Sequence, residues 1–229
     1  MFKFSGIFDL KPGVDREEAW QYWREKHVLF AKEYLLPGPK KYNINRVVHS
    51  FGEVDVWGIS EFWFEDKETA LTALGRLQKA PPDDFYIQRI KPARRVILEE
   101  EEIDLSSKSG NLPESRPASF GGRTMFKVVS IFSLREKVDP DEAHRTWREK
   151  HASGVKNQLL PEAKRYTINR VVHRFGEVDI YGYSMIWFAA MDLALKAAER
   201  LRNAPPDEFL TKFIKTHKMV IVEEEKVDL

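Results

Sequence analysis

Cysteine is absent from this chain of 229 residues, and so is an excess of charge of either sign. Without cysteine there are no disulfide bonds, thiolate nucleophiles or thiolate metal sites, which agrees with a reducing compartment. The 37 basic and 36 acidic residues leave a formal net charge of +1. We therefore expect neither nucleic acid nor a membrane surface as a partner, because no long-range field would attract one.

Long apolar runs are also lacking. No stretch approaches the roughly 20 residues that a membrane-spanning helix needs. The N-terminal segment MFKFSGIFDL is interrupted by Lys3 and Asp9, and its counterpart MFKVVSIFSL stands in mid-chain, where a signal peptide could not act. No glycine-rich loop opens a helix, and no serine nucleophile motif is present. The sequence predicts a soluble, cytoplasmic protein.

What the chain does have is an internal repeat. The pentapeptide WREKH occurs at Trp23–His27 and again at Trp147–His151, and residues 1–105 align with residues 125–229 without a gap. About half of the aligned positions are identical. A match of this length at a fixed offset indicates a duplicated small domain rather than a solenoid of short repeats. We predict two units, 1–105 and 125–229, joined by a flexible linker rich in Ser, Gly and Pro at 106–124.

Each unit shows the same order of predicted elements. Alternating apolar residues predict strands, and apolar positions three to four residues apart predict helices. The first helix begins at Asp15, which forms a capping-box pattern with Glu18, and Asp139 and Glu142 repeat this pattern in the second copy. In the first unit the predicted strands are 2–10, 41–50, 56–65 and 93–101, and the predicted helices are 15–35 and a second that begins near 66 and ends at 80–83, followed by a helical turn at 85–90.

The order β-α-β-β-α-β is that of a ferredoxin-like unit, whose four-stranded sheet carries both helices on one face. Here both faces of the sheet are apolar, with Phe62 and Phe64 on one side of the third strand and Trp57, Ile59 and Trp63 on the other. A sheet that is apolar on both faces needs cover on both. We therefore predict an α+β fold in which the two units pack sheet face to sheet face as an intramolecular α/β barrel of the dimeric type, with approximate two-fold symmetry.

The repeated pentapeptide places a histidine on the apolar side of the first helix. Ala19, Trp23, His27 and Ala31 are four residues apart and share one stripe, so Trp23 and His27 are expected to face the sheet. Such a histidine needs a hydrogen-bond partner, and histidine is also the usual proton-transfer group near neutral pH. Two interpretations stay open: a buried histidine satisfied by a carbonyl or a neighbouring side chain, or an acid–base group. Trp23 and its counterpart Trp147 are more typical of a core than of a stacking platform.

Other polar residues recur in both copies. On the second strand Asn45 lies on one face and Tyr42 on the other, so the two line one pocket only if a bulge intervenes. His49 and His173 stand near strand ends beside carboxylates, but without the ligand spacing of a known metal site. We predict no bound metal and interpret these histidines as part of a surface or turn network.

The sequence resembles the EthD family of small proteins. The resemblance rests on the first strand, on the Trp-x-x-Lys-His spacing within the pentapeptide, and on the stretch with Tyr42 and Asn45, which recurs as Tyr166 and Asn169. It covers both units and leaves out only the linker. The resemblance implies the dimeric α/β-barrel fold, in agreement with the barrel predicted above. A tandem fusion of two such units departs from the family's usual single-unit form.

The same resemblance bears on the site. The wider barrel group includes cofactor-free monooxygenases, polyketide cyclases, isomerases and haem enzymes, so the fold does not choose a reaction. We expect no cofactor, with haem as an alternative by fold analogy alone. The expected catalytic residues are His27 and His151, and the expected substrate-binding residues are Trp23, Tyr42, Asn45, Trp147, Tyr166 and Asn169.

Three classes of function stay open. The first is a small enzyme that oxygenates, cyclises, isomerises or decarboxylates an apolar or aromatic metabolite, with the helix histidine as acid–base group. The second is a carrier that binds such a molecule without chemistry, and the third is a structural assembly module. Both ligand hypotheses predict an enclosed cavity beside His27 or His151.

The two copies also differ at a few positions. Glu61 becomes Met185 and Phe30 becomes Gly154, so pockets in the two units would differ in size and polarity. We expect a monomer whose two units pair internally, and further association of such barrels into a homo-oligomer stays open.

Overall fold

The computed structural model describes residues 1–81, 83–106, 124–159 and 161–229. Most of the predicted linker, residues 107–123, lies outside these described residues. The helices and strands before and after this gap together form one eight-stranded barrel with helices on its outside.

In the first half of the chain the elements follow the predicted order. Strand β1 (Phe2–Phe8) leads into a continuous helix made of α1 (Arg16–Tyr22), a π-helical turn (Trp23–His27) and α2 (Val28–Leu35). The elements that follow are β2 (Lys41–Ser50), β3 (Gly58–Phe64), α3 (Lys67–Gln78), another π-helical turn (Phe85–Arg89) and β4 (Arg94–Glu102).

The second half repeats this order. Its elements are β5 (Met125–Leu134), α4 (Pro140–Thr146), a π-helical turn (Trp147–His151), α5 (Ala152–Leu159), β6 (Arg165–Phe175), β7 (Gly182–Phe188), α6 (Met191–Asn203), a π-helical turn (Phe209–Phe213) and β8 (Ile214–Val227). None of the described helices is long and apolar enough to cross a membrane.

The eight strands close into one antiparallel barrel in the order β1-β3-β2-β8-β5-β7-β6-β4. Each half contributes a ferredoxin-like sheet, and two pairings join the halves: β2 with β8, and β4 with β6. The predicted α+β class and the intramolecular α/β barrel are therefore confirmed. The halves do not simply stack face to face, because hydrogen bonds between their edge strands bend the two sheets into one closed wall that leaves no open edge.

Apolar side chains form three layers. One cluster fills the barrel interior, and two more lie between the barrel wall and the helices of each half. The strand pattern predicts that Trp57 shares a face with Ile59, but Trp57 precedes β3 and packs in the helix layer, with its ring 5.6 Å from that of Trp23. The strand alternation begins only at Gly58, which is why the extrapolation to Trp57 is wrong.

The repeated pentapeptide forms the π-helical turn in both halves. Asp15 caps the first helix by accepting hydrogen bonds from the backbone N–H groups of Glu17 and Glu18, at 3.0 and 2.8 Å. The predicted return bond from the Glu18 carboxylate is not made, because that carboxylate binds Arg89 at 3.2 Å instead. A π-helical turn widens the helix by one residue, and such turns are frequent at functional sites.

Candidate active site

His27 lies buried between the helix and the barrel wall, with 3% of its surface exposed. Its Nδ1 donates a hydrogen bond to the carboxylate of Asp83. The other oxygen of Asp83 accepts a bond from the backbone N–H of Phe85 at 3.1 Å, which fixes the carboxylate at the start of the π-helical turn Phe85–Arg89. The imidazole is thus held in one orientation by a carboxylate that is itself held by the backbone.

The second half contains the same pair. Nδ1 of His151 donates to Asp207 at 2.6 Å, and Asp207 accepts from the backbone N–H of Leu210 at 3.0 Å. Asp207 is more open than Asp83, since 40% of its side chain is exposed against 7%. Among the residues that the structure describes, no hydrogen bond reaches Nε2 of either histidine.

The surroundings of the two histidines differ. The ring of His27 stacks on Phe85 at 4.8 Å between centroids and meets the edge of Tyr86 at 5.1 Å. Phe30 adds a third aromatic neighbour at 6.1 Å, and its counterpart is Gly154. Three aromatic rings therefore lie within 6.1 Å of His27, whereas His151 has two, Phe209 at 5.0 Å and Phe132 at 6.2 Å.

Burial and hydrogen bonding act on these carboxyl groups in opposite directions. Burial alone would raise the pKa of Asp83, but the hydrogen bond and charge of His27 outweigh it and lower the pKa. The same balance lowers the pKa of Asp207 beside His151. Each carboxyl group therefore stays ionised near neutral pH, in the form that accepts the Nδ1 proton and stabilises a positively charged imidazole.

The aromatic candidates lie in the helix layers with the histidines. Trp23 and Trp147 are fully buried, and the tyrosines Tyr42 and Tyr166 are buried beside them. Neither Tyr hydroxyl nor either indole Nε1 has a hydrogen-bond partner among the described residues. Burial raises the pKa of both tyrosines, so both hydroxyls stay protonated.

The asparagines lie on the opposite side of the barrel wall. Asn45 faces the interior, where its amide donates to the carbonyl of Ile59 at 2.9 Å and to Glu61 at 3.1 Å. Asn169 also faces inward and donates to the carbonyl of Tyr183 at 3.0 Å. The register shift in β2 falls between Val47 and His49, beyond Asn45, so it does not bring Asn45 to the side of Tyr42. The structure therefore groups His27, Trp23 and Tyr42, and separates Asn45 from them.

The interior holds a network of charges that the sequence did not indicate. Glu61 lies between two lysines, with Lys3 at 2.6 Å and Lys127 at 2.9 Å, and all three side chains are fully buried. Lys3 also contacts Glu100 at 3.1 Å, and Lys127 contacts Glu224 at 2.5 Å. Burial alone would raise the pKa of Glu61, but the charges of Lys127 and Lys3 hold it well below its usual range. Every carboxylate of this network thus has a cation beside it.

An open cleft lies next to the His27 pair. It has a volume of about 450 Å³ and is lined by the π-helical turn Phe85–Arg89, the segment before β4 and the end of β6. The ring of Tyr86 forms part of its wall and separates it from the imidazole of His27. The structure therefore does not show the expected enclosed cavity beside His27. The cleft is open to solvent, and the Tyr86 side chain lies between it and the histidine.

The barrel interior offers no room for haem, and the described residues form no metal cluster. Among the described residues, no group of three His, Asp or Glu side chains is placed to hold a metal ion. The barrel interior is filled by apolar side chains and crossed by the contacts of Glu61 with Lys3, Lys127 and Tyr183. All six histidines pack against aromatic rings outside the interior: His27 on Phe85, His49 on Phe51, His144 on Trp147, His151 on Phe209, His173 on Phe175 and His217 on Phe132. The interior does not fit haem.

Two features of the site do not follow from the sequence pattern. Asp83 and Asp207 end the segment Ala-Pro-Pro-Asp, which occurs in both copies and by its composition predicts only a helix stop. Lys3 and Lys127 recur at an inward position of an apolar strand, which is an unusual place for a charge. In both cases the signal is the exact repetition of a polar residue, and its partner becomes visible only in three dimensions.

Comparisons with known proteins concern the sequence family and the fold. The family profile of the EthD domain matches residues 11–83. A search of curated protein sequences gave no significant match. The fold is similar to that of an anthrone oxidase-like protein, with a TM-score of 0.60, 13% identity and coverage of 98% of this chain and 92% of that one.

Two further solved structures share the architecture. One is a candidate monooxygenase from Fusobacterium nucleatum subsp. nucleatum, with a TM-score of 0.53, 10% identity and coverage of 99% and 94% of the two chains. The other is a mutant chlorite dismutase from Candidatus Nitrospira defluvii, with a TM-score of 0.51, 9% identity and coverage of 96% and 90%. At these identities the likeness concerns the fold. The resemblance inferred from the pentapeptide is confirmed for residues 11–83, which match the EthD domain, and the chain has the dimeric-type α/β-barrel fold.

Proposed function

We propose that this protein is an enzyme that transfers a proton to or from an apolar or aromatic small molecule, with His27 as the acid–base group. The observation that carries the proposal is the hydrogen bond from Nδ1 of His27 to Asp83, which leaves Nε2 without a partner among the described residues. Oxygenation, cyclisation, isomerisation and decarboxylation all include such a proton transfer, so the proposal names the step that they share.

The His27–Asp83 pair suits this step. An ionised carboxylate on Nδ1 fixes the tautomer whose free nitrogen is Nε2, and it stabilises the imidazolium that forms when Nε2 accepts a proton. Asp83 would be a positioning residue, since it acts through His27. The Phe85 ring stacked on the imidazole excludes water from one of its faces.

The cleft beyond Tyr86 supports a small-molecule substrate. Its volume of about 450 Å³ falls in the range of ligand sites, and aromatic and aliphatic side chains line much of it. For the substrate to reach Nε2, the Tyr86 side chain would have to turn away from His27. One solved structure with this fold is named an anthrone oxidase-like protein, and anthrone is an aromatic ketone, which is in keeping with an aromatic substrate.

We also propose that the chain is a tandem fusion of two EthD-like units. This rests on the match of residues 1–105 to residues 125–229 and on the equivalent His–Asp pairs. In this view the His151–Asp207 pair is a second, more open centre, and His27 and His151 have to be tested separately.

Proton exchange isolates the proposed step from the rest of the reaction. Anthrone, 2-tetralone and 1-indanone each carry C–H groups acidified by a neighbouring carbonyl or ring system. We expect the protein to accelerate exchange of deuterium from D2O into at least one of them under anaerobic conditions, measured by NMR. Because general acid–base catalysis contributes about 10²–10⁴-fold, the His27→Gln variant should lose roughly a hundredfold of the acceleration.

Control variants separate the acid–base role from a structural one. His49→Gln changes a histidine that lies on the outside near Phe51, and it should leave exchange unchanged. Asp83→Asn should lower the rate and shift its pH profile, since it changes the group that holds the imidazole. The proposal would be contradicted by no acceleration with any of the three compounds, or by full acceleration in the folded His27→Gln variant. Acceleration that is lost only in the His27→Gln, His151→Gln double variant would assign the step to His151 instead. Binding without exchange would favour the carrier.

A further inference from the structure

We propose that the cleft beside Tyr86 is a binding site for aromatic carboxylates, with the guanidinium of Arg95 as the group that binds the anion. As a substrate-binding site the cleft rests on the proposed function, because it would then lead to His27. As a ligand site it rests on the geometry of the cleft alone, which indicates both the charge of the ligand and its aromatic character.

The charge of the cleft is positive. Lys11, Lys91 and Arg95 all line it, and none of its lining residues is acidic. Two of these cations are engaged: Lys11 donates to the carbonyl of Ile87, and Lys91 pairs with Asp9 at 2.7 Å. Such a cleft attracts an anion and does not suit a cation.

Arg95 is the cation without a counter-charge. Among the described residues it makes no salt bridge, and its Nε is a buried donor without a hydrogen-bond acceptor. Its guanidinium lies 4.9 Å from the ring centroid of Tyr86, in a cation–π contact. A buried donor without an acceptor is unfavourable, and the planar fork of an arginine matches the two oxygens of a carboxylate.

Aromatic and aliphatic side chains form the walls of the cleft. Tyr86 and Phe175 contribute rings, and Ile87, Ile90 and Pro92 contribute aliphatic surface. Phe175 comes from β6 of the second half, so the cleft is completed by the joining of the two halves. An aromatic ring between these walls, with its carboxylate toward Arg95, satisfies both features together.

The equivalent place in the second half lacks this chemistry. The counterpart of Arg95 is Met219, that of Tyr86 is Leu210, and that of Ala93 is His217. Met219 is buried, so a methionine is accommodated at this position of the fold. We therefore expect one site for each chain rather than two.

Calorimetric titration with two matched probes tests the proposal. The probes are 2-naphthoate and 2-naphthalenemethanol, which share their rings and differ in the charged group. We expect 2-naphthoate to bind at one site for each chain, at least tenfold more tightly than the alcohol. The Arg95→Met variant should bind 2-naphthoate at least tenfold more weakly and the alcohol within about twofold of wild type.

A matched control removes the positive charge of the adjacent residue, Arg94. Arg94 pairs with Asp55 on the outside of the cleft at 3.1 Å, and Arg94→Met should change 2-naphthoate binding by less than about threefold. Ala93→His, which places the second-half residue in the cleft, should weaken both probes. Equal binding of the two probes, binding of neither, two equal sites, or an unchanged affinity in Arg95→Met would each overturn the proposal.

The same measurements keep the two proposals apart. His27→Gln should bind 2-naphthoate normally and yet lose proton exchange. If carboxylate binding is present while exchange is absent in the wild type, the proposed function fails and the site stands. If exchange is present while 2-naphthoate does not bind, the site fails and the function stands.

Discussion

Glu61 offers the sharpest test of the structure, because it is a carboxylate buried between two lysines. Removing one member of a buried ion pair leaves an uncompensated charge and costs about 3–5 kcal/mol of folding free energy. In Glu61→Gln, Lys3 keeps Glu100 at 3.1 Å and Lys127 keeps Glu224 at 2.5 Å. We therefore expect a loss near the lower end, about 3 kcal/mol, in the free energy of unfolding.

Urea unfolding at neutral pH measures this loss. For a chain of this size the same change should lower the melting temperature by roughly 6–12 °C. Glu65→Gln serves as the control: the Glu65 side chain is 77% exposed and 3.6 Å from Lys40, so its loss should stay below about 0.5 kcal/mol. If Glu61→Gln were as stable as Glu65→Gln, the assignment of Glu61 as a buried ion would be wrong.

The pH dependence of folding stability independently tests the direction of the pKa shift of Glu61. Folding depresses the pKa of Glu61, because the charges of Lys127 and Lys3 outweigh the effect of burial, which alone would raise it. A depressed carboxyl pKa stabilises the fold above the unfolded-state pKa of about 4.3, and this contribution is lost as the pH falls toward the folded-state pKa. The difference in stability between wild type and Glu61→Gln should thus shrink below about pH 4. A difference that widens with acid would refute the reasoning.

Two further predictions concern local packing and helix capping. Gly58→Ala should lower the free energy of unfolding by about 1–3 kcal/mol, because an added Cβ would lie 2.6 Å from the Trp23 ring. The control Gly75→Ala, on the open side of α3, should be neutral or stabilise by up to about 1 kcal/mol. Equal effects of the two substitutions in thermal unfolding would contradict the close contact at Gly58. Asp15→Ala should lose about 1 kcal/mol, since it removes the acceptor of two backbone N–H groups, and an unchanged urea midpoint would refute that cap.

Much of the fold could be predicted from local patterns. The limits of β2 agree with the predicted 41–50, because strand alternation and the flanking turns are properties of the nearby sequence. The barrel followed from the same source, since apolar residues on both faces of a sheet require cover on both. The strand pairing that joins the two sheets could not be predicted from local patterns. The pairing of β2 with β8 joins residues far apart in the chain, and no local pattern encodes it.

The candidate site was predicted less completely, because its contacts also join residues that are far apart in the chain. The histidine on the apolar stripe was visible from helical spacing, but its partner lies 56 residues away in another segment. Tyr42 and Asn45 illustrate the opposite case. Their placement on opposite faces of β2 followed from the two-residue period, and the structure places one in the helix layer and the other in the interior. Local periodicity indicates which face a residue occupies, while contacts between distant segments decide what it meets there.

The single carboxylate at the centre of the barrel has a consequence for how such molecules can be built. Two identical subunits related by an exact two-fold axis must supply either a pair of acidic groups at that point or none. A pair would repel one another in a dry interior, and none would leave each lysine with a single carboxylate, Glu100 or Glu224. One covalent chain escapes this restriction, because Glu61 and Met185 occupy equivalent positions with different side chains. A single chain thus allows this barrel a central arrangement of charge that no homodimer of either half could reproduce.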